Sequence, residues 1–128
     1  MEDKKVYDVM TRGVVSVHLT DSAREVARAL VENKIHAVAV MDNNGDAVGI
    51  ISEMDLLGVM DQDLDLTRAE DIMSSHLRSI TPNSRLREAA EIMLGFKVHR
   101  LIVLHPEGRR AVGVLSISDI IREVTKPD

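Results

Sequence analysis

The chain repeats its own sequence, and this duplication constrains the fold more than any other feature. Asp8-Val9-Met10 aligns with Asp71-Ile72-Met73 at a shift of 63 residues. After one inserted residue, Gly49-Ile50-Ile51-Ser52 aligns with Gly113-Val114-Leu115-Ser116 at a shift of 64. Ordered matches at a fixed interval are typical of a duplicated structural unit. We therefore predict two equivalent repeats, at residues 1–60 and 69–128, joined by an acidic, solvated linker at 61–68.

Within each repeat the hydrophobic pattern predicts the order strand, helix, strand, strand, helix. Extended segments are expected at 14–17 and 77–80, buried strands at 37–41 and 101–104, and following strands at 47–51 and 111–115. A second helix is expected to begin at Ser52 and at Ser116. The fold class is therefore α/β (α+β), built from two β-α-β-β-α repeats that pack with pseudo-two-fold symmetry and place their two sheets back to back.

Apolar residues at helical spacing mark the first helix of each repeat. They are Ala23, Val26, Ala27, Leu30 and Val31 in one repeat, and Leu86, Ala89, Ala90, Met93 and Leu94 in the other. Asp21-Ser22 and Asn83-Ser84 are placed as N-caps, and Ser22 with Glu25 forms a capping-box pattern. We therefore expect two amphipathic helices that begin in the same way.

Composition excludes several classes of protein. The 128 residues carry a net charge of −5, with one Tyr, one Phe and no Trp, so we expect no binding of nucleic acid. No apolar run is long enough for a membrane span, and the charged start is unlike a signal peptide. There is no cysteine, and the five histidines (18, 36, 76, 99 and 105) lack metal-ligand spacing, so no metal site is expected. A cytoplasmic location follows as the simplest expectation.

The motif glycine, two apolar residues, Ser-x-x-Asp occurs once in each repeat, at 49–55 and at 113–119. Together with the two Asp-apolar-Met openings and the strands that begin at Lys34 and Lys97, it resembles the signature of cystathionine-β-synthase (CBS) domains. The resemblance covers about residues 5 to 124. It implies a tandem pair, or Bateman module, that binds adenine nucleotides (AMP, ADP or ATP) or S-adenosylmethionine in clefts between the repeats.

The resemblance also implies the role of the module. Members of the family sense a ligand without catalysing a reaction, so no enzyme activity and no cofactor are expected. Pairs of modules often form homodimers. Because this chain shows no effector domain, the signal is expected to pass through the dimer or through an effector protein in trans.

Elementary chemistry agrees with a nucleotide site at the Ser-x-x-Asp motif. A carboxylate in the first helical turn can accept both hydroxyls of a ribose, and free N–H groups at the helix start attract phosphate. Ile50 and Val114 in the preceding strands can flank an adenine ring. The same motif is also a plain N-capping sequence, and only its recurrence in register favours a ligand.

The second repeat resembles the AMP-contacting segments of the gamma subunit of the AMP-activated kinase. By that resemblance Asp119 holds the ribose, and Arg100, Ser116 and Ser118 meet phosphate. His99 lies beside them. The adenine side is expected from the first repeat, from His18, Ala23, Ile35 and His36.

The second cleft, built around Asp55 and Ser52 with Thr81, Leu86 and Val98, has Ala37 in place of Arg100 and Met54 in place of Ser118. We therefore expect tighter phosphate binding at Asp119 than at Asp55.

Two other classes of function stay open from the sequence. In the first, the clefts are vestigial and the module is a dimeric interaction scaffold. In the second, His99 and Asp119 act as an acid–base pair in an enzyme; the sequence offers no nucleophile or phosphate-binding loop for it.

Overall fold

The computed structural model describes residues 3–74 and 78–127, and they form two compact units. Residues 14–74 form one of them, the continuous unit. Residues 3–13 and 78–127 form the other, the split unit. The compact units therefore differ from the sequence repeats, because the opening segment of each repeat packs with the body of the other repeat.

Among the described residues, the helices and strands follow one another in the same order in both repeats, except that β1 belongs to the first repeat alone. They are α1 (Val6–Val9), β1 (Thr11–Arg12), β2 (Ser16–His18), α2 (Ala23–Asn33), β3 (Ala37–Met41), β4 (Ala47–Ser52), α3 (Glu53–Leu57), α4 (Ala69–Ile72), β5 (Ser79–Ile80), α5 (Leu86–Phe96), β6 (Arg100–Leu104), β7 (Ala111–Ser116) and α6 (Ile117–Val124).

The continuous unit is built on a three-stranded sheet with the order β2-β3-β4. Strand β2 runs parallel to β3, and β3 runs antiparallel to β4. Its core consists of Val17, Ala23, Val26, Leu30, Val38, Val40, Ile51, Leu56 and Ala69. These residues come from the sheet and from α2, α3 and α4, so burial of one face of each element fixes their arrangement.

The split unit has a four-stranded sheet with the order β1-β7-β6-β5. Strand β5 runs parallel to β6, and β6 and β1 run antiparallel to β7. Its core consists of Val6, Ile80, Leu86, Ala89, Met93, Leu101, Val103, Leu115 and Ile120. Val6 is fully buried, so the amino-terminal segment contributes to this core as well as to the sheet.

Backbone oxygens from the segments just before α1 and α4 cap the long helices α5 and α2. The carbonyl of Thr67 accepts from the Ala23 N–H at 2.7 Å, and the carbonyl of Lys4 accepts from the Leu86 N–H at 3.0 Å. These four residues are related by the shift of 63. Since the first N–H groups of a helix have no partner within the helix, the linker and the chain start satisfy the same need in the two units.

The acidic side chains of residues 61–68 are exposed, while other contacts of this segment dock it onto the continuous unit. Asp65 pairs with Arg24 at 2.7 Å, and hydrogen bonding to Asp65 raises the pKa of Arg24. Leu64 packs against the core of the continuous unit. Leu64 and the helix-capping carbonyls of Leu64 and Thr67 therefore hold the segment against the continuous unit.

Two expectations for the first helices are corrected. Helix α5 is capped by Arg85 without a side-chain hydrogen bond, not by Asn83-Ser84. Ser84 instead contacts Thr81, with 3.0 Å between the two hydroxyl oxygens. Val31 and Leu94 lie at the edge of the apolar stripe and are 77% and 79% exposed, since the remaining apolar positions already face the sheets.

The strand predictions hold at 37–41 and nearly so at 101–104, 47–51 and 111–115. The extended segments are shorter than expected, at 16–18 and 79–80, and residue 77 of the second prediction lies outside the described residues, as does His76. The predicted fold class is confirmed, and the short elements α1, β1 and α4 add to it. Among the described residues, no helix has the length and apolar character to cross a bilayer.

Candidate functional site

Ser116 and Asp119 form a reciprocal capping box at the start of α6. The N–H of Ser116 donates to Oδ2 of Asp119 at 2.9 Å, and the N–H of Asp119 donates to Oγ of Ser116 at 3.1 Å. Asp119 is 8% exposed and is the one buried charged residue in the described part of the chain. The helix start therefore holds a carboxylate in a fixed orientation at the positive end of the α6 dipole.

The pairing of β6 with β7 brings Arg100 and His99 to this helix start. Arg100 lies directly opposite Ser116 in the antiparallel ladder, and side chains that are directly opposite share one face of a sheet. The carbonyl of His99 accepts from the N–H of Ile117, the first residue of α6, at 2.9 Å. Arg100 is half-buried, and its guanidinium has no hydrogen bond or ion pair with residues 3–74 or 78–127. An uncompensated arginine in this place is suited to an anion.

Arg122 supplies a second cation at this site, one helical turn beyond Asp119. Its Nη1 donates to Oδ1 of Asp119 at 3.2 Å, and its side chain is 66% exposed. Each oxygen of the Asp119 carboxylate therefore has one partner in the described part of the chain, and a carboxylate oxygen can accept from a further hydroxyl donor. The i, i+3 spacing of Asp119 and Arg122 could have signalled this pair from the sequence.

The equivalent group of the continuous unit differs in charge. Ser52 and Asp55 form the same capping box at the start of α3, but Ala37 takes the place opposite Ser52. Glu53 occupies the next position and contacts His36, with 2.8 Å between Oε1 and Nδ1. This helix start therefore carries two carboxylates beside one histidine, and sequence reasoning missed Glu53 because position 117 of the other repeat is isoleucine.

His18 is engaged by its own unit through both ring nitrogens. The N–H of Thr20 donates to Nδ1 at 3.2 Å, which leaves Nε2 to donate to Oδ1 of Asn43 at 2.6 Å. Thr81, the equivalent of His18, is exposed and contacts Ser84. The histidine thus links the β2–α2 connection to the β3–β4 turn by hydrogen bonds.

The apolar candidates differ in accessibility. Ala23 is fully buried in the core, and Ile35 packs against the same core. Ile50 and Val114 are half-buried and pair with Ser74 and Thr11. Ala23 therefore has no exposed side-chain surface to offer to a ligand in this structure.

The fourteen candidate residues fall into one group in each unit. The group in the continuous unit comprises His18, Ala23, Ile35, His36, Ile50, Ser52 and Asp55, and the group in the split unit comprises Thr81, His99, Arg100, Val114, Ser116, Ser118 and Asp119. Ser118 is exposed on the first turn of α6. The structure places Arg100, Ser116, Asp119 and the backbone carbonyl of His99 at the start of α6.

Comparison with known proteins agrees with the duplicated motif. The CBS domain family matches residues 6–62 and 69–126. The 5'-AMP-activated protein kinase subunit gamma of Saccharomyces cerevisiae is 27% identical over 118 residues, which cover 85% of this chain and 36% of that protein. The chain spans 24% to 63% of the length of the first curated relatives.

Solved structures of the same fold include two with adenosine ligands. The structure of CBSX2 in complex with AMP is similar at a TM-score of 0.81 and 25% identity, over 94% of this chain and 96% of that one. The CBS domain pair of protein MJ0100, in complex with 5'-methylthioadenosine and S-adenosyl-L-methionine, has a TM-score of 0.86 at 24% identity, over 95% and 96% of the two chains. The second likeness concerns the fold alone. With two CBS domain matches that together span most of its length, this chain belongs to the CBS domain family.

Proposed function

We propose that this chain is a regulatory module that senses an adenine nucleotide such as AMP, ADP or ATP. Asp119 accepts hydrogen bonds from the ribose hydroxyls. Arg100, Ser116 and Ser118 meet the phosphate, and His99 lies beside them. The proposal rests on one observation above all: Arg100, without a partner among the described residues, lies directly opposite the serine that caps α6.

The charged residues at the two helix starts support a difference in phosphate affinity between the two sites. The Asp119 group has Arg100 and Arg122, whereas the Asp55 group has Glu53 and no arginine. Since phosphate needs a fixed positive partner, the Asp119 group binds it more strongly. The Asp55 group, which would include Ser52, Ile50 and Thr81, is weak for phosphate or takes a less charged adenosine compound.

Family resemblance supports the remaining parts of the proposal. His18, Ala23, Ile35 and His36 contribute to the adenine side, although Ala23 does so only if the side chains around it move. The module forms a homodimer in the cytoplasm and passes its signal to an effector protein without catalysing a reaction itself. The complexes of CBSX2 with AMP and of MJ0100 with S-adenosyl-L-methionine make both ligand classes worth testing.

The alternative of an interaction scaffold is favoured by one observation. Alanine stands opposite Ser52, where the other repeat has Arg100, so one site has lost its cation. A scaffold predicts that the melting temperature does not move with any nucleotide, because only a ligand that binds the folded state raises it.

Isothermal titration with AMP, ADP and ATP tests the proposal on three proteins: the wild type, Asp119→Asn and Asp55→Asn. The two substitutions remove the same charge from equivalent capping boxes, so Asp55→Asn controls for damage to a cap. We expect Asp119→Asn to weaken nucleotide binding at least tenfold, about the effect of one charged hydrogen bond, and Asp55→Asn to leave the tight site intact. Equal binding by wild type and Asp119→Asn, or none by the wild type at millimolar nucleotide, would overturn it.

A further inference from the structure

The two capping boxes differ in what the serine hydroxyl does with its hydrogen. In the continuous unit, Oγ of Ser52 donates to Oδ2 of Asp55 at 3.1 Å, in addition to the N–H contact at 2.8 Å. In the split unit, the Ser116 N–H is the one donor to Oδ2 of Asp119 from residues 3–74 and 78–127. Within the described residues, the Ser116 hydroxyl accepts from the Asp119 N–H but donates to nothing. Its hydrogen is therefore available to a ligand.

The two capping boxes also differ in the residue three positions after the aspartate, which is Arg122 in the split unit. It holds Oδ1 of Asp119, whereas the equivalent position in the continuous unit is Gly58, which has no side chain. A nearly buried carboxylate needs compensation on both oxygens. With Arg122 on one oxygen and a backbone N–H on the other, Asp119 is satisfied without the serine hydroxyl.

We propose that Arg122 is a positioning residue of the Asp119 site, an inference that rests on the proposed function. By pairing with the Asp119 carboxylate, it leaves the Ser116 hydroxyl free to donate to a phosphate oxygen at the start of α6. The ligand favoured in this way carries a phosphate close to its ribose, as a nucleoside 5'-monophosphate does. Without Arg122, the Ser116 hydroxyl turns to Asp119, as Ser52 turns to Asp55.

Two other roles for Arg122 predict different results in binding experiments with AMP and adenosine. If it contacts phosphate directly, its removal weakens AMP binding whether or not Ser116 has a hydroxyl. If it only stabilises α6, its removal weakens AMP and adenosine alike. A double-mutant cycle with Ser116→Gly separates the roles, because glycine is well tolerated at an N-cap.

The experiment measures the Kd of AMP and of adenosine for the wild type, Arg122→Gln, Arg122→Lys, Ser116→Gly and the double variant Ser116→Gly/Arg122→Gln. We expect Arg122→Gln to weaken AMP binding about tenfold, the size of one hydrogen bond to a charged group, and to change the Kd of adenosine by less than about twofold. Arg122→Lys restores most of the AMP affinity. In the Ser116→Gly background, Arg122→Gln has no further effect on AMP.

A crystal structure of unliganded Arg122→Gln supplies a readout that does not depend on nucleotide binding. We expect Oγ of Ser116 to lie within hydrogen-bonding distance of Oδ2 of Asp119, as in the Ser52 box. An unmoved hydroxyl, an equal loss of AMP affinity in the Ser116→Gly background, or a parallel loss for adenosine would overturn the role of Arg122. A wild type that binds neither ligand would instead overturn the proposed function.

Discussion

The backbone oxygen of Thr11 lies 2.6 Å from the position that a Cβ atom would take on Gly113. Strand β1 pairs with β7 in antiparallel orientation here, with Arg12 opposite Gly113. In the other unit a Cβ on Gly49 would lie 2.5 Å from the sulfur of Met73. The motif glycine therefore serves the same purpose twice: it lets the opening segment of one repeat approach the strand of the other.

We expect Gly113→Ala to lower the free energy of unfolding by about 2 kcal/mol, as overpacking of a close contact does. The Thr11 oxygen is a backbone atom, so it cannot move away from the added Cβ as a flexible side chain can. Gly49→Ala costs less, since Met73 can move its flexible side chain and the nearest backbone atom, the oxygen of Ser74, lies farther away at 3.0 Å. Urea unfolding measures both. Gly95→Ala is the matched control: it lies in α5 with open space at its Cβ, so it should stabilise the helix by about 0.5–1 kcal/mol. A Gly113→Ala protein as stable as the wild type would contradict this reading of the glycine.

The start of α5 offers an opportunity to add a cap. Ser22 and Glu25 form a complete capping box on α2, whereas Arg85 and Glu88 occupy the same places on α5 without a side-chain cap. We expect Arg85→Ser to stabilise the protein by about 1 kcal/mol, the usual contribution of an N-cap serine, by completing the box with Glu88. Thermal and urea unfolding measure the gain, and Ser22→Ala should produce a loss of similar size. A destabilised Arg85→Ser protein would show that the arginine has another role.

The pH dependence of stability should reveal the anchor between the chain start and α6. Glu123 contacts Lys126 at 3.1 Å and Lys4 at 3.5 Å. The hydrogen bond and charge of Lys126, with a smaller contribution from Lys4, lower the pKa of Glu123 from its usual 4.5. A pKa lowered by folding stabilises the protein above the unfolded value, and this is lost as the pH falls through the folded value.

We therefore expect Glu123→Gln to be less stable than the wild type at pH 7, with the difference shrinking below about pH 4.5, the usual pKa of a glutamate side chain. Urea unfolding at pH 7, 5, 4 and 3 measures it. A difference that stays constant across this range would mean that the ion pairs contribute nothing.

The fold was largely predictable from the sequence because the repeats encode it twice. The hydrophobic pattern of the strands agrees with their burial: residues 38–40 are buried, as a continuous apolar run predicts. The N-cap of α5 was misplaced because Asn83-Ser84 looks like a cap locally, although the shift of 63 from Ser22 leads to Arg85. The docked linker was missed because its acidic side chains are exposed while its contacts run through Leu64 and backbone carbonyls.

The sequence predicted the capping residues and Arg100 at the candidate site, but it did not predict all of the charged side chains there. Ser116 and Asp119 are adjacent in the motif, and Arg100 reaches them because the strand pairing places it opposite Ser116. Glu53 and Arg122 were not predicted from the sequence, since Glu53 occupies a variable position of the motif and Arg122 lies beyond it. Differences between the copies carry the information about ligand charge.

The most direct test of the account is the affinity of Arg100→Gln for AMP and for adenosine, measured by isothermal titration. We expect the loss of a charged hydrogen bond to phosphate, about 1.5–3 kcal/mol or more than tenfold in Kd for AMP, with adenosine binding unchanged because it lacks phosphate. Arg110→Gln, which removes the same charge from an exposed turn, should leave both affinities unchanged. AMP binding by Arg100→Gln equal to that of the wild type would contradict the central claim that Arg100 and the start of α6 hold the phosphate.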